Sequence, residues 1–309
     1  MGTVLLAEPR AFCAGVARAV ATVERALDRY GAPVYVRRQI VHNRHVVERL
    51  QRAGAVFVEE ADAAPEGAVL ILSAHGVAPG VRRAADDRGL RTVDATCPLV
   101  SKVHREARRF AAEDYDILLM GQDGHDEVIG TLGQAPGRIQ VVGTPESVAC
   151  VEVADPARVV WLAQTTLAVQ ETMDTVGLLR ERSPLLQDPP SDDICYAAQN
   201  RQAGVRQVAA DSDLVLVLGS PNSHNSRCLD VAQAQGTVAH LIDDEDGIEV
   251  AWLAGGGVNG VSDGASAPED CVRDVLVRLG TLGYDEVRTV TAAEENQQFA
   301  LPRELEDIR

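Results

Sequence analysis

An α/β fold of three similar small domains with mainly parallel sheets is predicted by three features of this 309-residue chain. Short apolar runs alternate with stretches of helical periodicity, the pattern of strands joined by crossover helices. The order cysteine, helix, strand, polar loop, strand, polar loop occurs three times, and such internal repetition constrains a fold more than any one element. No low-complexity linker interrupts the alternation, and the Pro-rich 183-SPLLQDPPSDD-193 is the clearest boundary signal.

The elements follow in chain order. The stretch 1-MGTVLLAEPR-10 reads as a first strand, free to join the sheet of another unit. Further strands are marked by 33-PVYV-36, 55-AVFV-58, 68-AVLIL-72, 116-DILLM-120, 139-IQVV-142, 158-RVVWLA-163 and 214-LVLVL-218. Between them lie helical faces such as Val16, Val20, Val23, Leu27 and Tyr30, or Val100, Val103, Ala107 and Phe110. Cys13 opens a helix and His42 follows 29 positions on; Cys97 and His125 are 28 apart, and Cys195 and His224 are 29 apart. Each unit then runs to a second polar loop, 73-SAHG-76, 164-QTTL-167 or 264-GASAP-268. The expected units are 1–95, 96–193 and 194–281, with 282–309 as a C-terminal tail. Open α/β sheets bind ligands at the C-terminal ends of their strands. A pseudo-threefold (trefoil) arrangement would therefore bring three cysteines and six loops to one central cavity.

Charge and composition exclude several classes. A net charge of −17 argues against nucleic acid, which requires clustered Lys and Arg. Lys102 is the only lysine. No apolar run reaches membrane-spanning length, and the N-terminus has no secretory signal pattern, so the expected location is cytoplasmic and no membrane partner is expected. Six cysteines in such a chain point to thiol or metal chemistry rather than a disulfide framework.

Cys13, Cys97 and Cys195 all enter helices, where the N-terminus favours the thiolate that ligates metal. Three thiolates are one fewer than closes a cubane iron–sulfur cluster, and the iron left open can bind substrate. Zinc with Cys₃ and a histidine is the competing site, though no CxxC pair occurs. Cys150, Cys228 and Cys271 have no counterparts between units and read as structural. His42 and His75, with Ser223, Asn225 and Ser266, form a pocket suited to an oxyanion such as a diphosphate, without any Walker loop. His45 reads as structural. The middle unit adds His125, Glu127, Thr165 and Thr166, equipment for delivering a proton to a leaving oxygen, and Asp126 reads as a solvated turn residue.

In order, and over essentially the whole chain, 8-EPRAFCAGV-16, VHNR, SAHG, DATCPLVSKVH, GHDEVIGT, QTTL, DDICYAAQNRQ and GASAP resemble the 4-hydroxy-3-methylbut-2-enyl diphosphate reductase family. That family catalyses the last step of the methylerythritol phosphate route to isoprenoids. The resemblance implies a trefoil of α/β domains around one oxygen-sensitive 4Fe–4S cluster, convertible to 3Fe–4S by oxidation. Cys13, Cys97 and Cys195 correspond to its ligands. His42, His75, His125, Ser223, Asn225 and Ser266 correspond to the diphosphate pocket, Glu127 to the acid and Thr165 to its hydrogen-bonding partner. The implied reaction is a two-electron, two-proton reductive dehydroxylation giving isopentenyl or dimethylallyl diphosphate. Ferredoxin or flavodoxin is the implied electron donor.

Three positions depart from the family pattern: Asp126 for a proline, His224 for a second serine, and Asp263 for a small residue. His224 is expected to face the diphosphate with an imidazole donor; the competing reading is a diverged relative acting on a related allylic diphosphate. Turnover of the standard substrate by wild type and His224→Ser separates them. A non-catalytic iron–sulfur sensor or carrier has no use for Glu127 or a six-loop pocket, and a zinc hydrolase of phosphate esters lacks its paired motifs.

Overall fold

The structure is a computed structural model that describes residues 2–220, 227–254 and 257–306. The chain begins β1 (Thr3–Glu8), α1 (Ala14–Tyr30), β2 (Val34–Arg37), α2 (Arg44–Arg52), β3 (Ala55–Val58), β4 (Val69–Leu72), α3 (Pro79–Asp87) and β5 (Arg91–Asp94). It continues through α4 (Pro98–Ala112), β6 (Asp116–Met120), α5 (Asp126–Leu132), β7 (Ile139–Val142), β8 (Val159–Ala163) and α6 (Val169–Arg182). The remainder is α7 (Tyr196–Ala210), β9 (Leu214–Leu218), α8 (Arg227–Ala234), β10 (Val238–Ile242), β11 (Val258–Asp263), α9 (Glu269–Thr281) and β12 (Glu286–Thr291).

All strand pairs among the described residues are parallel, in three sheets ordered β3-β2-β4-β5, β7-β6-β8 and β10-β9-β11-β1-β12. One plan underlies all three: the first strand of each set lies between the second and third, and a fourth joins beyond the third. β5 is that fourth strand in one sheet and β1 in another. In the β7-β6-β8 sheet its place is taken by a single bridge between Val160 and Gln187. The N-terminal strand thus pairs with β11 and β12, the latter supplied by the C-terminal segment.

Parallel strands are covered on both faces, so they read as unbroken apolar runs. All five residues of β8 and of β9 are buried. Side chains of β9 alternate between two cores. Leu214, Leu216 and Leu218 pack with Val272, Val275 and Leu279 of α9, while Val215 and Val217 pack with Val205, Cys228 and Val231. On α4 the predicted face of Val100, Val103, Ala107 and Phe110 is buried; three of these pack on Ile117, Leu119, Val160 and Leu162.

By contacts the chain divides into two compact units. One comprises Met1–Val16, His42–Val46 and Tyr196–Gln298 and holds the five-stranded sheet; the other comprises Ala17–Val41, Val47–Cys195 and Phe299–Arg309 and holds the other two sheets. In the second unit, the described end of the chain lies along α1, where Arg18 and Tyr30 donate to the carbonyls of Ala300 and Glu304. Among the described residues, no helix is long and apolar enough to cross a membrane.

Candidate active site

The three predicted cysteines each stand immediately before a helix: Cys13 before α1, Cys97 before α4 and Cys195 before α7. Their backbones make one hydrogen bond three times over. Cys97 N–H donates to Ala74 O (2.9 Å), Cys195 N–H to Thr165 O (2.8 Å) and Cys13 N–H to Ala265 O (3.1 Å). Each acceptor lies two residues beyond the third strand of its sheet, in the loops SAHG, QTTL and GASAP. None of the six cysteines is in a disulfide, and these three are half-buried. Cys228 and Cys271 are core residues whose thiols burial pushes up to about 12 and about 11, whereas Cys150 is exposed.

At Cys13 the helix-start N–H groups favour the thiolate and burial opposes it. Burial pushes its thiol up, outweighing the Val16 and Gly15 N–H groups and the Arg201 charge. Val16 N–H donates to its sulfur at 3.5 Å.

Around Cys13, in the first unit, the turn is held by charged side chains. Ala11 has a left-handed φ of 60°. Its N–H donates to Asp263 Oδ2 (2.5 Å), and its carbonyl accepts from Arg201 Nη2 (3.0 Å). Arg201 is buried and also donates to Arg10 O (3.3 Å) and to Glu295 Oε1 (2.8 Å). Ser266 is buried in the same unit, its hydroxyl donating to His42 O (3.3 Å). His45 faces Asp244, its Nε2 3.3 Å from a carboxylate oxygen.

In the second unit Thr165 is a junction. Its N–H donates to Glu127 Oε1 (2.6 Å) and its hydroxyl to Glu127 Oε2 (3.1 Å), while its carbonyl accepts from Cys195. Glu127 is buried on the first turn of α5, and desolvation pushes its carboxyl up to about 7 against the two bonds from Thr165. Behind this junction Asp193 Oδ2 accepts from Ala163 N (2.9 Å), at the end of β8. Lys102 Nζ donates to Ser191 O (2.8 Å), Asp192 O (2.7 Å) and Asp193 Oδ1 (3.0 Å), tying the helix that starts at Cys97 to the segment that leads to Cys195. Glu106 beside them is pushed up to about 7 by burial and by the Asp193 carboxylate.

His125 caps α5, its Nδ1 accepting from Glu127 N–H (3.1 Å), so the neutral ring carries its proton on Nε2. The His75 ring meets it edge-on at 5.7 Å. Asp126 is not a solvated turn residue. Its carboxylate pairs with Arg38, its side chain is 12% exposed, and one of its oxygens lies within 4.8 Å of a ring nitrogen of His75. A carboxylate beside imidazole and guanidinium groups is paired in preference to hydrated.

Within the second unit the structure thus brings Cys195, Thr165, Glu127 and His125 into one hydrogen-bonded chain, with His75 and Cys97 at adjoining loops. In the first it brings Cys13, His42 and Ser266 onto neighbouring backbone. Ser223, His224 and Asn225 lie outside the described residues. Sequence reasoning missed the supports: Lys102, Asp193, Glu106 and Arg201. Three had a visible signal, since Lys102 is the sole lysine and Asp193 and Arg201 belong to the DDICYAAQNRQ motif.

Parallel α/β sheets whose strand ends carry thiols, imidazoles and buried carboxyls belong to a class of protein that binds ligands or metals at such ends. Residues 4–280 match the LytB protein family, and the chain belongs to that family. It is 59% identical to a 4-hydroxy-3-methylbut-2-enyl diphosphate reductase of Mycolicibacterium vanbaalenii, over 99% of this chain and 91% of that protein. It is 60% identical to 4-hydroxy-3-methylbut-2-enyl diphosphate reductase 1 of Mycobacterium bovis, over 99% and 92%. The solved E-1-hydroxy-2-methyl-but-2-enyl-4-diphosphate reductase of Plasmodium falciparum is similar with a TM-score of 0.94 and 33% identity, covering 98% of this chain and 96% of that one. A second solved structure, of an (E)-4-hydroxy-3-methyl-but-2-enyl diphosphate reductase, has a TM-score of 0.65 and 31% identity over 91% and 100%.

Proposed function

We propose that this chain reduces 4-hydroxy-3-methylbut-2-enyl diphosphate to isopentenyl and dimethylallyl diphosphate in the cytoplasm. The C–O bond of the allylic hydroxyl breaks, a C–H bond forms, and two electrons and two protons are taken up as water leaves. The observation that carries the reading is the join at Thr165, which links a buried acid on one side to a cysteine on the other.

The donor set fits an iron–sulfur cluster. Cys13, Cys97 and Cys195 are half-buried, outside any disulfide and held by one repeated backbone bond, and burial at Cys13 disfavours a thiolate without a cation beside it. These three residues would hold a 4Fe–4S cluster, which when bound supplies electrons singly and an iron without a protein ligand. Ferredoxin or flavodoxin is the donor in this reading. Glu127, titrating near neutrality, keeps a proton available to the leaving oxygen, and Thr165 fixes both of its oxygens. His125 presents an Nε2–H toward the diphosphate, joined by His42, His75 and Ser266. Ser223, His224 and Asn225 complete the pocket on the strength of sequence.

Anaerobic purification with iron, sulfide and zinc analysis, followed by turnover of the named substrate, is the test. A brown protein with about four irons that converts the substrate is expected. A colourless zinc protein, or a loaded one with no turnover, overturns the reading.

A further inference from the structure

The turns that carry the three cysteines share a second hydrogen bond, and the way it is made differs each time. The residue two places before the cysteine bonds to the last residue of the sheet's third strand. At Cys97 the bond is made by backbone alone, Ala95 N–H donating to Leu72 O (3.1 Å). At Cys195 the carboxylate of Asp193 accepts from Ala163 N–H (2.9 Å). At Cys13 the Ala11 N–H donates to the carboxylate of Asp263 (2.5 Å).

The ladder register explains why the last of these needs a side chain. β1 pairs with β11 so that Thr3 is opposite Val258 and Leu6 opposite Val261, which continued would set Glu8 opposite Asp263. In the Cys97 sheet Leu72 is opposite Asp94, and the residue after Asp94 donates to Leu72. The equivalent donor after Glu8 is Pro9, which has no N–H. The chain instead passes through a left-handed turn at Ala11, whose N–H meets the Asp263 side chain. A non-glycine residue holds that conformation only where its surroundings over-determine it. Asp263 takes the N–H of Ala11 and Arg201 its carbonyl, and the same turn is tied again at Cys13 N–H to Ala265 O.

We propose that Asp263 is a positioning residue for Cys13, clasping the Ala11 turn in place of the backbone bond that the Cys97 turn makes. Asp263 is buried, and its Oδ1 has no hydrogen-bond partner among the described residues, so general stability does not explain a carboxylate there. Burial pushes its carboxyl up to about 7, against the neighbouring Arg201 charge and the Ala11 bond, so the ionised acceptor is available at neutral pH. The importance of this clasp for a cluster rests on the proposed function; the clasp itself does not.

The test is thiol alkylation of the full-length, metal-free chain by iodoacetamide, read peptide by peptide for Cys13, Cys97 and Cys195. Asp263→Ala is expected to raise the Cys13 rate about tenfold or more, as for one lost charge-assisted hydrogen bond, and to leave Cys97 and Cys195 as in wild type. Asp263→Asn, which keeps an acceptor oxygen, is expected to restore the wild-type Cys13 rate. Should the alanine variant not fold, Asp263→Ser, one atom too short to reach Ala11, gives the same comparison. An unchanged Cys13 rate, or a rise at all three cysteines together, overturns the proposal. Iron analysis of the same chains separates the two readings: a clasp effect in a protein that never binds iron would sink the cluster and leave the clasp.

Discussion

The Cys97 turn and the Cys195 turn perform the same task in different ways, the first bonding to its third strand through backbone and the second through a carboxylate. At Cys97 the β5 ladder runs on, with Ala95 and Cys97 donating to Leu72 and Ala74, and charged groups only brace the backbone beside it: Asp94 accepts from Thr96 N–H, and Arg18 donates to the Asp94 and Thr96 carbonyls. At Cys195 the fourth strand is reduced to one bridge at Gln187, and the segment that follows is held by Asp193 and by Lys102 on three oxygens. Backbone that leaves a sheet must satisfy its peptide groups some other way. A compact ammonium aims three donors from a single nitrogen, whereas a guanidinium spreads its donors over a planar fork. Where regular structure stops short of a functional residue, charged side chains take over, and those places are correspondingly easier to break.

The comparison can be broken most severely at the shared acid. Glu127→Gln is expected to lower kcat by about 10²- to 10⁴-fold, the range for a lost general acid, with iron content unchanged. Equal turnover by the variant would remove Glu127 from the chemistry.

Removing the Lys102 staple comes next. Lys102→Met leaves Asp193 without its partner in a largely buried place, costing about 3 kcal/mol in denaturant unfolding, and Lys102→Arg should recover only part of it. Amide exchange at Ala163 and Cys195 should rise in the methionine variant, while exchange at Ala95 and Cys97 stays as it was. Equal changes at both turns would erase the distinction drawn between them.

A pH effect sharpens the role of Thr165. The protonated form of Glu127 falls as pH rises through about 7, so kcat should decline over that range. Both Thr165 bonds favour the ionised carboxylate, so Thr165→Val, which deletes the hydroxyl, should move the declining limb to higher pH. The stability linkage has the matching sign. Glu127 is raised above its unfolded value of about 4.3, so its burial costs nothing in acid and costs increasingly as pH rises to about 7. Glu127→Gln should therefore stabilise the fold at pH 8 but not at pH 4.

The smallest effect is expected at Asp126. Its pair with Arg38 is partly exposed, and Asp126→Asn should change stability by about 1 kcal/mol or less. Loss of a negative charge beside His75 should lower KM for the diphosphate with kcat unchanged.

Much of the architecture was legible in residue order. Continuous apolar runs such as 214-LVLVL-218 marked doubly covered strands, and the recurring cysteine marked the helix starts. Asp126 was misread because its partner Arg38 lies 88 positions away, and no local pattern distinguishes a paired carboxylate from a solvated one. Burial at Cys13, which opposes the helix-start N–H groups, was invisible for a related reason: the helix start is a local feature, whereas burial is set by the whole unit.

By itself the sequence determined where the most apolar strands fall and which cysteines recur at helix starts, because periodicity and turn chemistry are properties of neighbours; β12, polar and exposed, lay in the stretch read as a tail. Only the tertiary structure decided that β1 pairs beside β11, that Thr165 joins Glu127 to Cys195, and that Asp263 reaches Ala11 across 252 positions. Those bonds arise where backbone from remote segments meets at a strand end with unsatisfied N–H groups, and which side chain answers them depends on register.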